Sequence, residues 1–192
     1  LFDLEPDLLG FLNGVYELNN GVFREGRFSD YISMVIDYEY KPVDTTDLMV
    51  FINKIMPVKE ERDFLLKVLS TSLKGTTLEK IVILTGAGGN GKDSLITYLM
   101  NATLGTLYYE ANSTALTQKL KGDMSVSISG MDKRRMVIYN EPDEGETIKT
   151  SMMKLLTGGK NVAVRGLYSN RAETRINATH IVPCNTLPKL DV

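Results

Sequence analysis

The 192-residue chain contains one cysteine, one histidine and no tryptophan. The single thiol, Cys184, excludes an internal disulfide and a zinc site built from several cysteines, so a hydrophobic core must hold the fold together. Hydrophobic residues make up 43% of the chain, which is enough to build such a core. The expected role of Cys184 is that of a buried structural thiol.

Long apolar runs are also absent. No stretch approaches the roughly 20 residues that cross a bilayer, and the first ten residues lack the basic and apolar regions of a signal peptide. These absences predict an intracellular protein without membrane association. The chain begins with a leucine and ends without a closing helix, which predicts a piece of a longer protein.

Positive charge does not exceed negative charge in the chain as a whole, but it predominates near the carboxyl terminus. Residues 1–148 hold 15 Lys and Arg against 22 Asp and Glu, a balance of -7, whereas residues 149–192 hold 7 against 2, a balance of +5. The net charge of -2 alone argues against a nucleic-acid binder. The asymmetry predicts that any contact with phosphates comes from the last quarter of the chain.

The sequence pattern changes near residue 78. Residues 1–78 predict a small α+β lead-in, with a hairpin that turns at residues 19–21, a strand in residues 31–40 and two helices before Gly75. Residues 79–192 alternate strands and helices, which is typical of a parallel sheet flanked by helices. The predicted fold class is therefore α/β, with a lead-in over 1–78 and a core over 79–192.

A glycine-rich loop separates the first strand of the core from an amphipathic run. Glycines let backbone N–H groups curl around phosphates, the following helix adds the positive end of its dipole, and a lysine reaches the outer phosphates. The bare pattern arises by chance in roughly one such chain in twenty, but its position favours an ATP site over an ordinary glycine turn. The predicted nucleotide-binding residues are Gly86, Ala87, Gly88, Gly89, Asn90, Gly91, Lys92, Asp93 and Ser94.

The residue after the lysine departs from the usual motif. Ser or Thr normally stands there to hold Mg²⁺, and here it is Asp93. A carboxylate can ligate a hard cation through oxygen, although Asp93 could instead serve only to cap the helix. Ser94 follows one position later, about 100° further around the helix. We assign Asp93 to the metal.

A second apolar run, MVIYN, leads into acidic residues. Glu141 stands just past it, where ATPases of this kind carry the base that polarises the attacking water. Asn140 occupies the usual place of a metal-orienting acid. We hypothesise that the carboxylate missing at Asn140 has moved to Asp93, so that both residues belong to the metal site. Alternatively, residues 141–146 form a solvated acidic loop at the start of a helix.

Residues 161–176 alternate in β fashion around a turn, which predicts a hairpin. Its basic and aromatic residues could contact phosphates and stack on a base. An edge hairpin protected by charge is the alternative. The predicted DNA-binding residues are Lys160, Arg165, Tyr168 and Arg171, with Arg175 as a further phosphate partner.

The last strand-like run of the core ends at Asn185. A polar residue at a strand end beside the phosphate loop can position water against the γ-phosphate, although Asn185 alone is also typical of a turn. His180 lies within the same run, and its expected role is that of a hydrogen-bonded core histidine.

The order of these motifs resembles that of superfamily 3 helicases, in particular the poxvirus-type primase-helicases of large DNA viruses and related phage proteins. GAGGNGKD is similar to the Walker A motif of that family and RRMVIYNEPDE to its Walker B motif. LLTGGKNVAVRGLY resembles its B-prime motif, and HIVPCN resembles motif C with Asn185 as sensor. The lead-in segments LLGFLNGVYEL and FREGRFSDYIS also resemble viral members, so the likeness covers nearly the whole chain.

This resemblance implies an AAA+-like P-loop core that assembles into a hexameric ring around DNA. Lys92, Glu141 and Asn185 would be catalytic, ATP and Mg²⁺ the cofactors, and the B-prime hairpins would face DNA. An arginine of the neighbouring subunit, beyond motif C, would complete the site, so these residues alone would hydrolyse ATP weakly. The implied setting is the replication compartment of an infected cell.

We therefore predict an ATP-dependent DNA helicase motor. An ATP-switched DNA-binding or scaffolding module that unwinds nothing is the alternative. A small-molecule P-loop kinase would need a lid and an acceptor pocket, and the sequence indicates neither.

Overall fold

The computed structural model describes residues 2–119, 127–166 and 169–191. A small sheet near the amino terminus has the strand order β3-β2-β1-β4. Strands β1 and β2, and β2 and β3, pair antiparallel, whereas β1 and β4 pair parallel. The strands are β1 (Leu8–Phe11), β2 (Gly14–Glu17), β3 (Val22–Arg24) and β4 (Val35–Ile36).

Strand β4 is much shorter than the predicted strand over residues 31–40. The backbone N–H groups of Ser33 and Met34 donate to the Asp3 carboxylate, at 2.6 and 2.9 Å. Tyr31 lies in the left-handed region with a φ of 48°. The backbone N–H groups of Ser33 and Met34 are therefore hydrogen-bonded outside a β-sheet. A carboxylate that is distant in sequence outweighs the local tendency to form a strand.

Two helices follow the small sheet, α1 (Thr46–Ile55) and α2 (Lys59–Ser70), and a 3₁₀ turn extends α2. Helix α2 buries Leu65 and Leu69, which lie one turn apart on a single face. Helix α1 buries Ile52. Among the described residues, no helix has the length and apolar character needed to span a membrane.

A four-stranded parallel sheet with the order β5-β11-β7-β6 forms the centre of the core. Strand β11 lies between β5 and β7, although it comes last of the four in the chain. Because the strands are parallel, the residues that follow β5, β7 and β11 all lie at one edge of the sheet. The strands are β5 (Ile81–Thr85), β6 (Tyr108–Ala111), β7 (Met136–Tyr139) and β11 (Thr179–Cys184).

Alternation along β7 separates two hydrophobic clusters, one on each face of this sheet. Met136 and Ile138 belong to the cluster that also contains Leu95 and Met100, from the helix after the glycine loop. Val137 and Tyr139 belong to the other cluster. Helical segments therefore cover both faces: a π-helical stretch (Ser94–Leu99) continuing into α3 (Met100–Leu104) on one, and α4 (Thr114–Thr117) with α5 (Thr150–Thr157) on the other.

Two further strand pairs complete the described part of the core. Strands β9 (Asn161–Gly166) and β10 (Ser169–Arg175) form an antiparallel hairpin. The Thr174 hydroxyl donates to Asp132 at 2.5 Å, which anchors the base of this hairpin. Strands β8 (Thr147–Lys149) and β12 (Lys189–Asp191) pair in parallel.

Arg135, directly before β7, joins the lead-in to the core. Its guanidinium donates to the backbone oxygens of Leu8, Leu73 and Pro6, the last at 3.3 Å. Burial lowers the pKa of Arg135 to about 10, so the group stays charged at neutral pH. One half-buried cation therefore satisfies backbone acceptors from the amino-terminal segment and from the end of the helical pair.

Candidate nucleotide site

The glycine loop lies directly between β5 and the helix on one face of the sheet. Gly89 and Gly91 have φ values of 74° and 84°, in the left-handed region that side chains disfavour. A Cβ atom on Gly88 or Gly89 would meet nothing within 4 Å, so both glycines face open space. The loop therefore presents backbone rather than side chains to its surroundings, which is the arrangement that phosphate binding requires.

The ammonium group of Lys92 connects the loop to the end of β11. It donates to the carbonyl oxygens of Gly86 and Ala87, the second at 3.2 Å, and to Asn90 Oδ1 at 3.1 Å. Asn185 Oδ1 lies 3.5 Å from the same nitrogen. A lysine has three protons to donate, so a phosphate oxygen would replace one of these acceptors rather than add to them.

Asn185 also holds the carboxylate of Glu141. Its backbone N–H donates to Glu141 Oε1, and its side-chain Nδ2 donates to Glu141 Oε2 at 3.1 Å. The two residues follow the neighbouring strands β11 and β7. Lys92, Asn185 and Glu141 thus form one continuous hydrogen-bonded series, in which the Asn185 amide donates to the acid and accepts from the cation.

These three residues line an open cleft of about 630 Å³ at the carboxyl edge of the sheet. Clefts that bind small molecules have volumes of roughly 300–1,000 Å³. The walls come from the glycine loop, the first turns of the following helix and the ends of β6, β7 and β11. The structure therefore brings together all the residues that the sequence assigns to catalysis.

Both predicted metal residues, Asp93 and Asn140, line the same cleft, and so does Ser94. All three side chains are exposed. In the described part of the chain, no three His, Cys, Asp or Glu side chains form a group that could hold a metal. Magnesium usually takes one or two carboxylates and completes its shell with waters and substrate phosphates, so the oxygen donors of this cleft fit Mg²⁺ held mainly through a bound triphosphate.

Comparison with known proteins finds similar proteins in several viruses. Residues 1–57 match the family model described as D5 N terminal like. The chain is 37% identical over 191 residues to protein L207/L206 of Acanthamoeba polyphaga mimivirus, which is named as a candidate helicase; the match covers 95% of this chain and 20% of that protein. It is 30% identical over 205 residues to Primase D5 of fowlpox virus, covering 98% of this chain and 26% of that protein.

Over nearly its whole length the chain is similar to one part of viral helicase and primase D5 proteins, and it spans about a fifth to a quarter of the length of those relatives. This confirms the resemblance found in the sequence motifs. A solved structure of the NrS-1 C-terminal region has a similar fold, with a TM-score of 0.57 at 14% identity over 80% of this chain and 36% of that one. At this identity the likeness concerns the fold alone, and it agrees with the predicted α/β fold of a parallel sheet with helices.

Of the predicted DNA-binding residues, Lys160 does not line the nucleotide cleft. Lys160 is exposed beside the start of β9. Arg165 and Arg171 lie on β9 and β10, but their side chains are outside the described part, and Tyr168 is outside it entirely. Arg175, at the hairpin base, lines a separate cavity of about 450 Å³ together with Arg135, which precedes β7. The base of the hairpin therefore lies towards the amino-terminal ends of the parallel strands, whereas the nucleotide cleft lies at their carboxyl ends.

His180 and Cys184 are core residues on β11, as their sequence context predicts. His180 Nδ1 and the Tyr139 hydroxyl are 2.8 Å apart, and both side chains are fully buried. Burial lowers the pKa of His180 to about 4, so the ring is neutral at physiological pH. Cys184 is a free, buried thiol whose pKa is raised by burial and by the nearby Glu141.

Sequence reasoning missed Glu110 on β6, which lines the cleft beside Thr97 and Tyr98. The segment TLYYEAN gives only a weak β signal, because the strand has four residues and contains a charge. The two tyrosines that precede Glu110 were the indication of a strand in this segment.

Proposed function

We propose that this chain is the ATP-hydrolysing motor core of a viral replication helicase. The observation that carries the proposal is the series Lys92, Asn185 and Glu141 in one cleft next to a glycine loop. These residues are distant in sequence, and the strand order brings them to a single edge of the sheet. The insertion of β11 between the loop strand and the acid strand supports an AAA+-like P-loop core.

The side chains supply the groups that phosphoryl transfer needs. Lys92 and the loop amides would hold the phosphates, while Asp93 and Asn140 would face Mg²⁺, which neutralises charge on the phosphate oxygens when bound. Water attacks the γ-phosphorus, the bond to the bridging oxygen breaks, and Glu141 accepts the proton. A carboxylate has about four acceptor positions, so the two hydrogen bonds from Asn185 orient Glu141 and leave room for water.

Two substitutions in the full-length protein test this assignment. Lys92→Ala should weaken ATP binding by about 10- to 150-fold, because a hydrogen bond to a charged group contributes roughly 1.5–3 kcal/mol. Glu141→Gln should keep ATP affinity and lose about 10²- to 10⁴-fold in turnover, the range for a general base. Glu144→Gln is the matched control, since this exposed acid follows the same strand but does not line the cleft. ATP binding that Lys92→Ala leaves unchanged would refute the proposal.

An unwinding assay on forked DNA distinguishes a helicase motor from the alternative, a module that uses ATP only for assembly or DNA binding. Glu141→Gln should abolish unwinding in a helicase. A scaffold would retain its function in that variant, because nucleotide binding persists.

The DNA partner is proposed from the charge pattern and the hairpin sequence. The +5 balance of residues 149–192 supports phosphate contacts in that segment. Replacing Arg165 with Ala should reduce the salt dependence of single-stranded DNA affinity, with a slope change of about 0.7 for one lost phosphate contact. An unchanged slope would argue against the hairpin as the DNA contact. A hexameric ring and a replication compartment remain part of this proposal.

A further inference from the structure

Glu110 is an acidic side chain that the proposed hydrolysis does not yet use. It lies on β6, the strand next to β7, and it lines the cleft that contains Lys92 and Glu141. Its neighbours along the strand, Tyr109 and Ala111, are half-buried and buried, whereas Glu110 is exposed. Among the ion pairs of the described residues, none includes Glu110.

The register between β6 and β7 defines the direction of this side chain. Glu110 pairs with Ile138, and paired residues of adjacent parallel strands point to the same face. Ile138 packs in the cluster formed with the helix that follows the glycine loop. Glu110 therefore points towards the face where that helix begins with Lys92 and Asp93.

Asn140 lies on the same face, two residues beyond Ile138. Its backbone N–H donates to the Ala111 oxygen at 3.0 Å, so the ladder between the two strands continues up to the cleft. The acid on β6 and the amide that directly follows β7 thus belong to neighbouring strands, two register positions apart, and both line the cleft. Asn140 occupies the position from which a carboxylate would orient a metal, and Glu110 is on the adjacent strand.

The charge of Glu110 acts on this face of the sheet. Tyr108, on the same strand, has a pKa raised to about 12, mainly by burial and further by the negative charge of Glu110. A carboxylate in this position would repel a triphosphate unless a cation lay between them. A role with a cation therefore fits its location better than a role against bare phosphate.

We propose that Glu110 is a positioning residue for the divalent cation of the nucleotide site, acting on the cation's water shell and supplying the negative charge that Asn140 lacks. The proposal rests on the proposed ATPase function. It agrees with the preference of Mg²⁺ to keep several waters and take few carboxylates. It also accounts for the lack of a three-acid group among the described residues, since contact through water needs no closed ligand cage.

Nucleotide affinity measured with and without Mg²⁺ tests this role independently of turnover. A fluorescent ATP analogue is titrated into the full-length protein in EDTA and at a series of Mg²⁺ concentrations. Glu110→Gln should raise the Mg²⁺ concentration for half-maximal binding by about tenfold, equivalent to about 1.4 kcal/mol. In EDTA the same variant should bind the analogue as tightly as wild type or more tightly, because a repelling charge is gone.

Two further variants make the result specific. Glu110→Asp keeps the charge and should restore much of the Mg²⁺ response, whereas the control Glu144→Gln should match wild type throughout. An unchanged Mg²⁺ midpoint in Glu110→Gln, or equal weakening with and without Mg²⁺, would overturn the inference while the ATPase proposal stands. Absence of nucleotide binding in the wild-type protein would instead overturn the ATPase proposal itself.

Discussion

Gly91→Ala tests whether the lead-in supports the glycine loop. Gly91 has a φ of 84°, and a Cβ atom there would lie 2.9 Å from Cγ1 and 3.0 Å from Cδ1 of Ile55, the last residue of α1. The substitution therefore combines backbone strain with overpacking against a helix of the lead-in. The first effect costs roughly 1–2 kcal/mol and the second about 1–3 kcal/mol.

We expect Gly91→Ala to lower the free energy of unfolding by about 2–5 kcal/mol, measured by urea denaturation. Ile55→Ala removes all the atoms in close contact, so it should cost less in the Gly91→Ala background than in the wild type. The difference between the two costs should be about 1–3 kcal/mol. The strain from the positive φ remains in the double variant.

Gly88→Ala is the matched control within the same loop. A Cβ atom at Gly88 meets nothing within 4 Å, so the free energy of unfolding should change by no more than about 0.5 kcal/mol. Gly88 lines the cleft, so ATP affinity should fall although stability does not. The reasoning fails if Gly91→Ala leaves the urea midpoint unchanged, or if Ile55→Ala costs the same in both backgrounds.

Two other predictions concern the core and the metal. Because the folded pKa of His180 is about 4 and its ordinary value 6.5, the unfolded state binds more protons between these values, and stability falls as the pH decreases. Wild type should lose about 2 kcal/mol more than His180→Gln between pH 7 and pH 5; parallel urea-denaturation stability curves would contradict this. Asp93→Ser should weaken Mg²⁺-dependent ATP turnover, with Glu144→Gln as control, and unchanged turnover would reject the idea that Asp93 compensates for Asn140.

The strands that the sequence predicts well share one physical property. Strands β5 and β7 are mostly apolar and β11 contains an apolar stretch after His180, because a parallel sheet covered on both faces needs apolar residues at successive positions. Strand β6 contains the charged residue Glu110, which faces the open cleft, so the same rule fails there. The strand predicted in residues 31–40 is confirmed only at Val35–Ile36, since the Asp3 carboxylate binds the backbone of Ser33 and Met34.

The residue types of the candidate site could be predicted from the sequence, but the contacts between these residues could not. Lys92, Glu141 and Asn185 each follow a recognisable run, and parallel strands place the residues at their carboxyl ends along one edge. Strand order is a tertiary property, and it decides that Asn185 lies between Lys92 and Glu141 and contacts both. The hydrophobic pattern of a single strand does not indicate whether that strand lies at the centre of the sheet.

The same distinction explains why Glu110 was missed and why its position matters. In the chain, Glu110 lies 18 residues after Lys92 and 31 before Glu141, with no motif around it. Its direction follows from pairing with Ile138, a contact between two strands that lie far apart along the chain. Acidic residues that act on a site through strand pairing leave no local signature. If Mg²⁺ binding responds to Glu110→Gln, the charge of this cleft is distributed across β6 and the glycine-loop helix rather than concentrated at the end of β7.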